Sequence, residues 1–243
     1  MPMSYLDMLT RLGVGSAHPG GFAATLQQLS EFPLPAGSRV LEVGCGTGRT
    51  ACHLARNGHT VTGLDIREEM LAKARQRAAA EKLDVTFVQG SIDALPFTNG
   101  SFNIVLAESV TNFADSSIAL SEYFRVLKPG GVLYDREVML MGDMAQEDYA
   151  EVVRFFGFHQ LLSVEGWLEA LTAAGFAETA TKNRSMFQEH LAAESEQTPD
   201  MLQVIDGGVF MDPAIWKTSL EHDELIHKNR LNMGYALLIG TKS

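Results

Sequence analysis

The chain has 243 residues, of which 46% are hydrophobic and 20% charged, as is typical of a globular protein built around one large domain. Its 30 acidic residues outnumber its 19 lysines and arginines, and the net charge of −11 argues against nucleic acid or an anionic membrane as a partner. The chain has two cysteines and no apolar run of about 18 residues, so we expect no disulfide framework, no membrane span and a cytoplasmic location.

Apolar runs and helical patterns alternate through the first 140 residues of the chain. The predicted strands are 39–44, 60–65, 85–90, 102–108 and 132–138. The predicted helices are 49–58, 67–83 and 116–127, and 128–131 (KPGG) reads as a turn that leads into the last of these strands. Strands that are almost continuously apolar and separated by helices imply a parallel sheet covered on both faces.

The last third of the chain has a different organisation. A helix is predicted at 163–176, a strand at 177–187 and a final strand at 233–242, with residues 186–230 between the two strands. This connection carries nine acids and three basic residues, and connections of this length are usually functional lids or small subdomains. We therefore predict one domain, 1–243, with the boundaries that follow. The core is about 36–185 plus 231–243, the lid about 186–230 and an N-terminal cap about 1–35.

The stretch VLEVGCGTGRT, residues 40–50, is a glycine-rich turn between a strand and a helix. Such a turn lets a ligand approach the backbone closely, and the helix N-terminus favours an anionic group. The dinucleotide fingerprint G-x-G-x-x-G, started at Gly44, would need a third glycine where the chain has Arg49. Glu42 would be unfavourable beside a pyrophosphate, whereas it suits a ligand with an ammonium and a sulfonium group. The spacing therefore favours S-adenosylmethionine (SAM) over NAD.

Asp65 ends the second predicted strand, 21 residues after Gly44. A carboxylate at this position can accept hydrogen bonds from both hydroxyls of a ribose. NAD enzymes place an acid similarly, so Asp65 indicates a nucleoside ligand without choosing between the two cofactors.

Four motifs together resemble a known family. VLEVGCGTG, LD at 64–65, QGSIDALPF and RVLKPGG are similar to the motif set of class I SAM-dependent methyltransferases, in particular the small-molecule type related to ubiquinone-biosynthesis C-methyltransferases. The resemblance covers about residues 40–138. It implies a doubly wound, Rossmann-like α/β fold with a seven-stranded, mostly parallel sheet, an antiparallel last strand and a helical insertion as lid. It also implies an enzyme with SAM as cofactor, S-adenosylhomocysteine (SAH) as product and a small-molecule substrate, and it leaves a homodimer open.

The resemblance also implies a set of cofactor contacts. The methionine-binding turn and the backbone beside the methionine portion correspond to Glu42, Gly44, Cys45, Gly46, Gly48 and Glu108. The ribose and adenine contacts correspond to Asp65, Ile66, Ser91 and Ile92. Ser91 stands where the family usually has aspartate, so its side-chain contact with adenine is a departure from the pattern. Cys45 is expected to fill space in the turn rather than to react.

An acceptor that must lose a proton needs a base, for which the sequence offers Glu108, Glu137, His18 and His159. We take Glu108 and His18 as the catalytic candidates. His222 and His227 are five residues apart, whereas a metal pair on a helix prefers a spacing of four, so we expect no metal. Two alternatives stay open at this point: a SAM-binding module without catalytic activity, and, less favoured, an NAD-dependent oxidoreductase.

Overall fold

The computed structural model describes residues 3–189 and 199–243. Residues 190–198, which fall within the predicted lid, and residues 1–2 of the predicted cap lie outside the described part. The strands in chain order are β1 (Arg39–Val43), β2 (Thr60–Asp65), β3 (Val85–Gln89), β4 (Phe102–Glu108), β5 (Leu127–Leu140), β6 (Glu178–Met186) and β7 (Met233–Thr241).

These strands form one seven-stranded sheet in the order β3-β2-β1-β4-β5-β7-β6. The pairs from β3 to β5 are parallel, whereas β7 lies antiparallel between β5 and β6. The fold class predicted from the sequence is thereby confirmed, including the antiparallel direction of the last strand. Strand order reverses between β1 and β4, and ligands of open α/β sheets bind outside the carboxyl ends of the strands at such a point.

The helices are α1 (Tyr5–Leu12), α2 (Gly21–Glu31), α3 (Arg49–Arg56), α4 (Glu68–Glu81), α5 (Ser116–Val126), α6 (Gln146–Phe156), α7 (Val164–Ala173) and α8 (Pro213–Asn229). Several begin at side chains that accept hydrogen bonds from the first turn, which stabilises a helix start by about 1 kcal/mol. Ser4 and Asp7 form a capping box on α1, and Asp212 caps α8 just before a proline at its first position. Within the part of the chain that the structure describes, no helix is both long enough and apolar enough to cross a bilayer.

The structure corrects the predicted turn at residues 128–131, which lies inside β5 instead of preceding it. Phe102 of β4 pairs with Leu127, but Ile104 pairs with Val132, so β5 carries extra residues at this point. The N–H of Gly130, a residue with φ of +75°, donates to the carbonyl of Lys242. The glycines therefore form a bulge that is held by Lys242, the residue directly after β7. A local turn pattern could not reveal this distant partner.

Side chains of β1 alternate between two cores, one on each face of the sheet. Leu41 and Val43 join the core that includes Trp167 of α7, whereas Val40 packs with Leu54 of α3 on the opposite face. A third cluster joins α1, α6 and α8 to the outer ends of β5 and β7, with Met8, Phe156, Leu225 and Met233 among its buried members. This third cluster lies beside the carboxyl ends of the parallel strands and encloses the space above them.

Candidate active site

A cavity of about 1510 Å³ lies at the carboxyl ends of β1, β2 and β4. The glycine turn and Asp65 line it from the sheet, and residues of α1, α6 and α8 line it from the third cluster. Cavities that hold one drug-sized ligand measure about 300–1,000 Å³. The cavity is therefore large enough for two ligands side by side.

The glycine turn leaves β1 with left-handed backbone at Gly44 and Gly46, whose φ angles are +62° and +53°. A Cβ on Gly44 would lie 2.5 Å from Cγ2 of Val110, so a larger residue does not fit there. Ser109, just before Val110, also has a positive φ, +56°, which is uncommon for a residue with a side chain. The turns after β1 and β4 thus pack against each other, and both line the cavity.

Gly48 and Cys45 support the turn in different ways. Gly48 is the N-cap of α3, and a Cβ there would meet Ala74 and the ring of Phe87 at 3.0 Å. Cys45 lines the cavity but is 3% exposed, and burial together with the charge of Glu42 raises the pKa of its thiol well above the usual range. A thiol held in its neutral form is a poor nucleophile, so Cys45 fits the space-filling role predicted for it.

Asp65 holds the turn and faces the cavity. Its Oδ2 accepts a hydrogen bond from the N–H of Gly46 at 2.9 Å, and its Oδ1 accepts one from the N–H of Arg67 at 2.8 Å. Burial raises the pKa of this carboxyl, whereas the backbone hydrogen bonds from Arg67 and Gly46 lower it. Each carboxylate oxygen has a second lone pair, so both can still accept from hydroxyl groups of a ligand.

Two buried carboxylates, Glu42 and Glu108, line the cavity beside the turn. Oε1 of Glu108 accepts from the hydroxyl of Thr25 at 2.6 Å, and Oε2 accepts from the hydroxyl of Thr50 at 2.9 Å. Glu42 is 4% exposed, and its Oε2 has no hydrogen-bond partner among the described residues. Burial raises the pKa of Glu42 well above the usual range, and the charge of Glu108 raises it further. A positively charged ligand would relieve this repulsion and give Oε2 a partner.

His18 lies 3.5 Å from Oε1 of Glu108 through its Nε2, and the same nitrogen is 3.2 Å from the hydroxyl oxygen of Thr25. Thr25 has one hydroxyl proton, which it donates to Glu108, so Nε2 of His18 must donate to Thr25. Burial lowers the pKa of His18, and the charge of Glu108 opposes this shift. The structure therefore brings the two catalytic candidates together, with His18 as a hydrogen-bond donor to Thr25.

The positions expected to contact adenine also line the cavity. Ile66 is 63% exposed and Ile92 is 7% exposed. The Ser91 hydroxyl accepts from the N–H of Asp93 at 3.3 Å and lies 3.4 Å from Oδ2 of Asp93, which lines the cavity as well. A carboxylate is thus present two residues beyond the position where the family usually has one.

The other two candidate bases, Glu137 and His159, do not line the cavity. Glu137 is completely buried and accepts hydrogen bonds from the N–H groups of Val110 and Thr111 and from the side chain of Asn112, at 2.7–2.8 Å. Glu137 therefore stabilises the turn after β4 from its buried side. His159 is exposed and donates its backbone N–H to Asn112. In residues 3–189 and 199–243, no group of three or more histidine, cysteine, aspartate or glutamate side chains is arranged to hold a metal ion.

An aromatic wall that the sequence did not predict lies on the far side of the cavity and is formed by Tyr5, Phe113, Phe156, Phe158 and His222. Neighbouring rings of the wall are in contact: the ring of Tyr5 stacks on His222 at 5.5 Å and meets Phe156 edge-on at 4.9 Å. Phe158 stacks on Phe156 at 5.0 Å and meets Phe113 edge-on at the same distance. These rings come from distant parts of the chain, so no local pattern indicates the wall.

His222 also has a polar partner, the neighbouring side chain of Asp223. Its Nδ1 lies 2.9 Å from Oδ1 of Asp223, and both residues line the cavity. Because an ionised carboxylate only accepts hydrogen bonds, Nδ1 donates to Asp223. The imidazole ring of His222 therefore brings a polar group to the aromatic wall, where it can orient a hydroxyl or amine group of a ligand.

The comparisons with known proteins agree with this geometry. The family model described as "Methyltransferase domain" matches residues 40–131, from β1 into β5. The uncharacterized methyltransferase YodH of Bacillus subtilis is 35% identical over 241 residues, which cover 98% of this chain and 99% of YodH. The chain belongs to the class I SAM-dependent methyltransferases. The predicted family, the predicted enzyme class and SAM as cofactor are thereby confirmed, whereas the ubiquinone-type subgroup stays a prediction.

Solved structures show how widely this fold is used. Phosphoethanolamine N-methyltransferase 2 of Haemonchus contortus, in complex with phosphomonomethylethanolamine and SAH, superposes with a TM-score of 0.77 at 22% identity. The alignment covers 98% of this chain but only 57% of the Haemonchus chain. The [4+2]-cyclase SpnF superposes with a TM-score of 0.68 at 26% identity, covering 90% of this chain and 80% of SpnF. The fold therefore also occurs in a protein described as a cyclase.

Proposed function

We propose that this enzyme transfers the methyl group of SAM to a small, partly apolar molecule bound against the aromatic wall. The observation that carries the proposal is the cavity of about 1510 Å³, which has the glycine turn and Asp65 on one side and the aromatic wall on the other. A donor and an acceptor can meet there without leaving the protein.

The residues on the sheet side fit SAM by their chemistry. The carboxylates of Glu42 and Glu108 would face the positively charged methionine end, and the like-charge repulsion between them favours a cation. Asp65 would accept hydrogen bonds from the ribose hydroxyls. Ile66 and Ile92 would pack against the adenine.

SAM supplies an electrophilic methyl group together with its own leaving group, so the protein need not provide a nucleophile. The chain's own contribution is to orient the acceptor and exclude water, and orientation of this kind can contribute roughly 7–11 kcal/mol. Glu108 has both oxygens engaged by Thr25 and Thr50, and His18 donates to the hydroxyl of Thr25. We therefore assign Glu108 to the positive end of the donor and His18 to the positioning of Glu108.

The charges that line the cavity restrict the acceptor. Among the residues that the structure describes, six acids, two arginines and three histidines line the cavity; the acids are Glu42, Asp65, Asp93, Glu108, Asp200 and Asp223. Both arginines are already engaged: Arg67 donates to Asp7 at 2.8 Å, and Arg49 donates to the carbonyl of Pro199 at 3.1 Å. This lining favours a neutral or cationic acceptor over a phosphorylated one of the kind in the Haemonchus complex.

Composition and charge carry the remaining parts of the proposal. They favour a cytoplasmic protein without nucleic-acid partners, and they leave a homodimer open. The domain boundaries given above, with a core, a lid and an N-terminal cap, are proposed from the order of the predicted strands and helices.

The proposal is tested by incubating the purified protein with radiolabelled SAM and a panel of small molecules, and by measuring SAH formation. The panel includes neutral hydroxyl compounds, amines and their phosphorylated counterparts. We expect turnover with a neutral or cationic member. Tight SAM binding without turnover across the panel would support a binding module, and selective binding of NAD would support the oxidoreductase alternative.

A further inference from the structure

We propose that Arg77 is a positioning residue for the donor site. Arg77 joins the glycine turn to residues 199–212, here called the strap. The strap must detach from Arg77 for SAM to enter and for SAH to leave. The inference goes beyond the methyl transfer proposed above, since it concerns the exchange of the donor, but it rests on the same donor site.

The side chain of Arg77 bridges two parts of the cavity wall. Its Nε donates to the carbonyl of Thr47, inside the glycine turn, at 2.9 Å. Its Nη1 and Nη2 donate to Oδ1 and Oδ2 of Asp200 at 2.8 and 2.5 Å, in the two-pronged arrangement typical of a strong ion pair. The side chains of Arg77 and Asp200 are only 4% and 8% exposed. One buried guanidinium thus fixes the turn and the strap at the same time.

Further polar contacts fasten the strap along its length. Lys73, one helical turn before Arg77 on α4, donates to Asp206 at 2.7 Å and to the carbonyl of Thr10 at 2.6 Å. The N–H of Asp206 donates to the carbonyl of Arg11, whose guanidinium donates to Asp212 at 2.5 Å. Three aspartates of the strap therefore pair with three cations of α1 and α4.

Apolar contacts contribute little to holding the first part of the strap, residues 199–206. Met201 is 89% exposed, Leu202 is 37% exposed and Ile205 is 41% exposed, whereas Val209 near the end of the strap is buried in the third cluster. A segment that buries few apolar side chains opens at low free energy compared with the core. Ion pairs rather than packing therefore decide how long the first part of the strap stays closed.

The strap also borders the donor. Pro199, Asp200 and Gln203 line the same cavity as Gly46 and Arg49. A donor held between the turn and the strap is released when one of them moves. The turn directly follows β1 of the sheet, whereas residues 199–206 of the strap are held mainly by polar contacts, so the strap is the part that moves.

The test measures SAH binding and release by stopped-flow fluorescence. We expect Arg77→Met to increase the dissociation rate constant of SAH at least tenfold. Arg77→Lys keeps the charge but cannot make the two-pronged pair, so it should give an intermediate rate. Arg75→Met is the matched control: Arg75 lies on the same helix, but its partner Glu68 is exposed, so the rate should not change.

Arg77→Met removes one member of a buried pair, which can prevent folding, so Asp206→Asn provides a second test. Asp206 does not line the cavity, and its side chain is 45% exposed. Its replacement should increase both the association and the dissociation rate constants of SAH by at least threefold. If Asp206→Asn leaves both constants unchanged, the strap does not gate exchange and the inference is wrong. If the wild-type protein does not bind SAH at all, the donor site itself is wrong.

Discussion

The side chain of Val110 occupies the space that a Cβ on Gly44 would need, with Cγ2 only 2.5 Å from that position. The turn that follows β4 thus requires glycine in the turn that follows β1. We predict that Gly44→Ala destabilises the protein by roughly 2–4 kcal/mol, because overpacking and left-handed backbone each add about 1–2 kcal/mol. The measurement is urea unfolding, together with SAM binding by calorimetry.

Gly58→Ala is the control for this prediction. Gly58 has φ of +84°, but a Cβ there meets nothing within 4 Å, so the variant carries the backbone penalty alone. Equal losses of stability in the two variants would show that the contact between Gly44 and Val110 is unimportant.

The charge of Glu108 is predicted to distinguish SAM from SAH, since only SAM carries a positive sulfur. Glu108→Gln keeps an acceptor for Thr25 or Thr50 but removes the negative charge. We expect the affinity for SAM to fall on the order of tenfold, equivalent to about 1.4 kcal/mol, and the affinity for SAH to fall less. Glu147→Gln, at an exposed position on α6, should alter neither value. Equal losses for both ligands would contradict the proposed electrostatic role.

Asp65 is predicted to carry a large share of nucleoside binding. Asp65→Asn removes the charge and one acceptor, and hydrogen bonds to charged groups contribute about 1.5–3 kcal/mol each. We therefore expect calorimetry to show SAM binding weakened roughly 10- to 100-fold. Asp84→Asn, at an exposed site between α4 and β3, should bind like the wild type. Unchanged affinity in the Asp65 variant would remove the ribose contact from the proposal.

The buried pair of Asp135 and Glu137 makes stability depend on pH in an unusual direction. Burial raises the pKa of Asp135 from 3.8 to about 7. Between pH 4 and 7 the folded protein therefore keeps a proton that the unfolded chain has lost, and stability falls as the pH rises. The steepest expected slope for one proton is roughly 1.4 kcal/mol per pH unit.

Asp135→Asn mimics the protonated acid and should flatten this slope. Denaturant unfolding from pH 4 to pH 8 checks the prediction, with Asp143→Asn at an exposed position as control. A variant at residue 135 with the wild-type slope would show that Asp135 does not hold the additional proton.

Local sequence patterns predicted the parts of this protein that depend on neighbouring residues. The strands around Val40 and Ile104 are apolar because both faces of the sheet are covered, and the glycine turn is visible because its backbone needs Gly44 and Gly46. The cofactor followed from the resemblance of four short motifs. Each of these signals is contained within a few consecutive residues.

The remaining features depend on residues far apart in the chain. Arg77 and Asp200 are separated by 123 positions, and Tyr5 stacks on a histidine at position 222. The sequence did contain one usable signal for the strap: Lys73 and Arg77 lie one turn apart on the face of α4 that also buries Met70 and Ala74. Long cationic side chains on a buried helix face need partners, and the acid-rich segment 186–230 is a large source of carboxylates.

The position of β7 between β5 and β6 has a consequence for biosynthesis. On the ribosome, β6, the strap and α8 are all made before the strand to which β6 is bonded. A nascent chain that ends before Met233 therefore leaves the edge of β5 open and β6 unpaired, and such strands are prone to pair with other chains or to recruit chaperones. The enzyme can complete its seven-stranded sheet only after translation has passed β7.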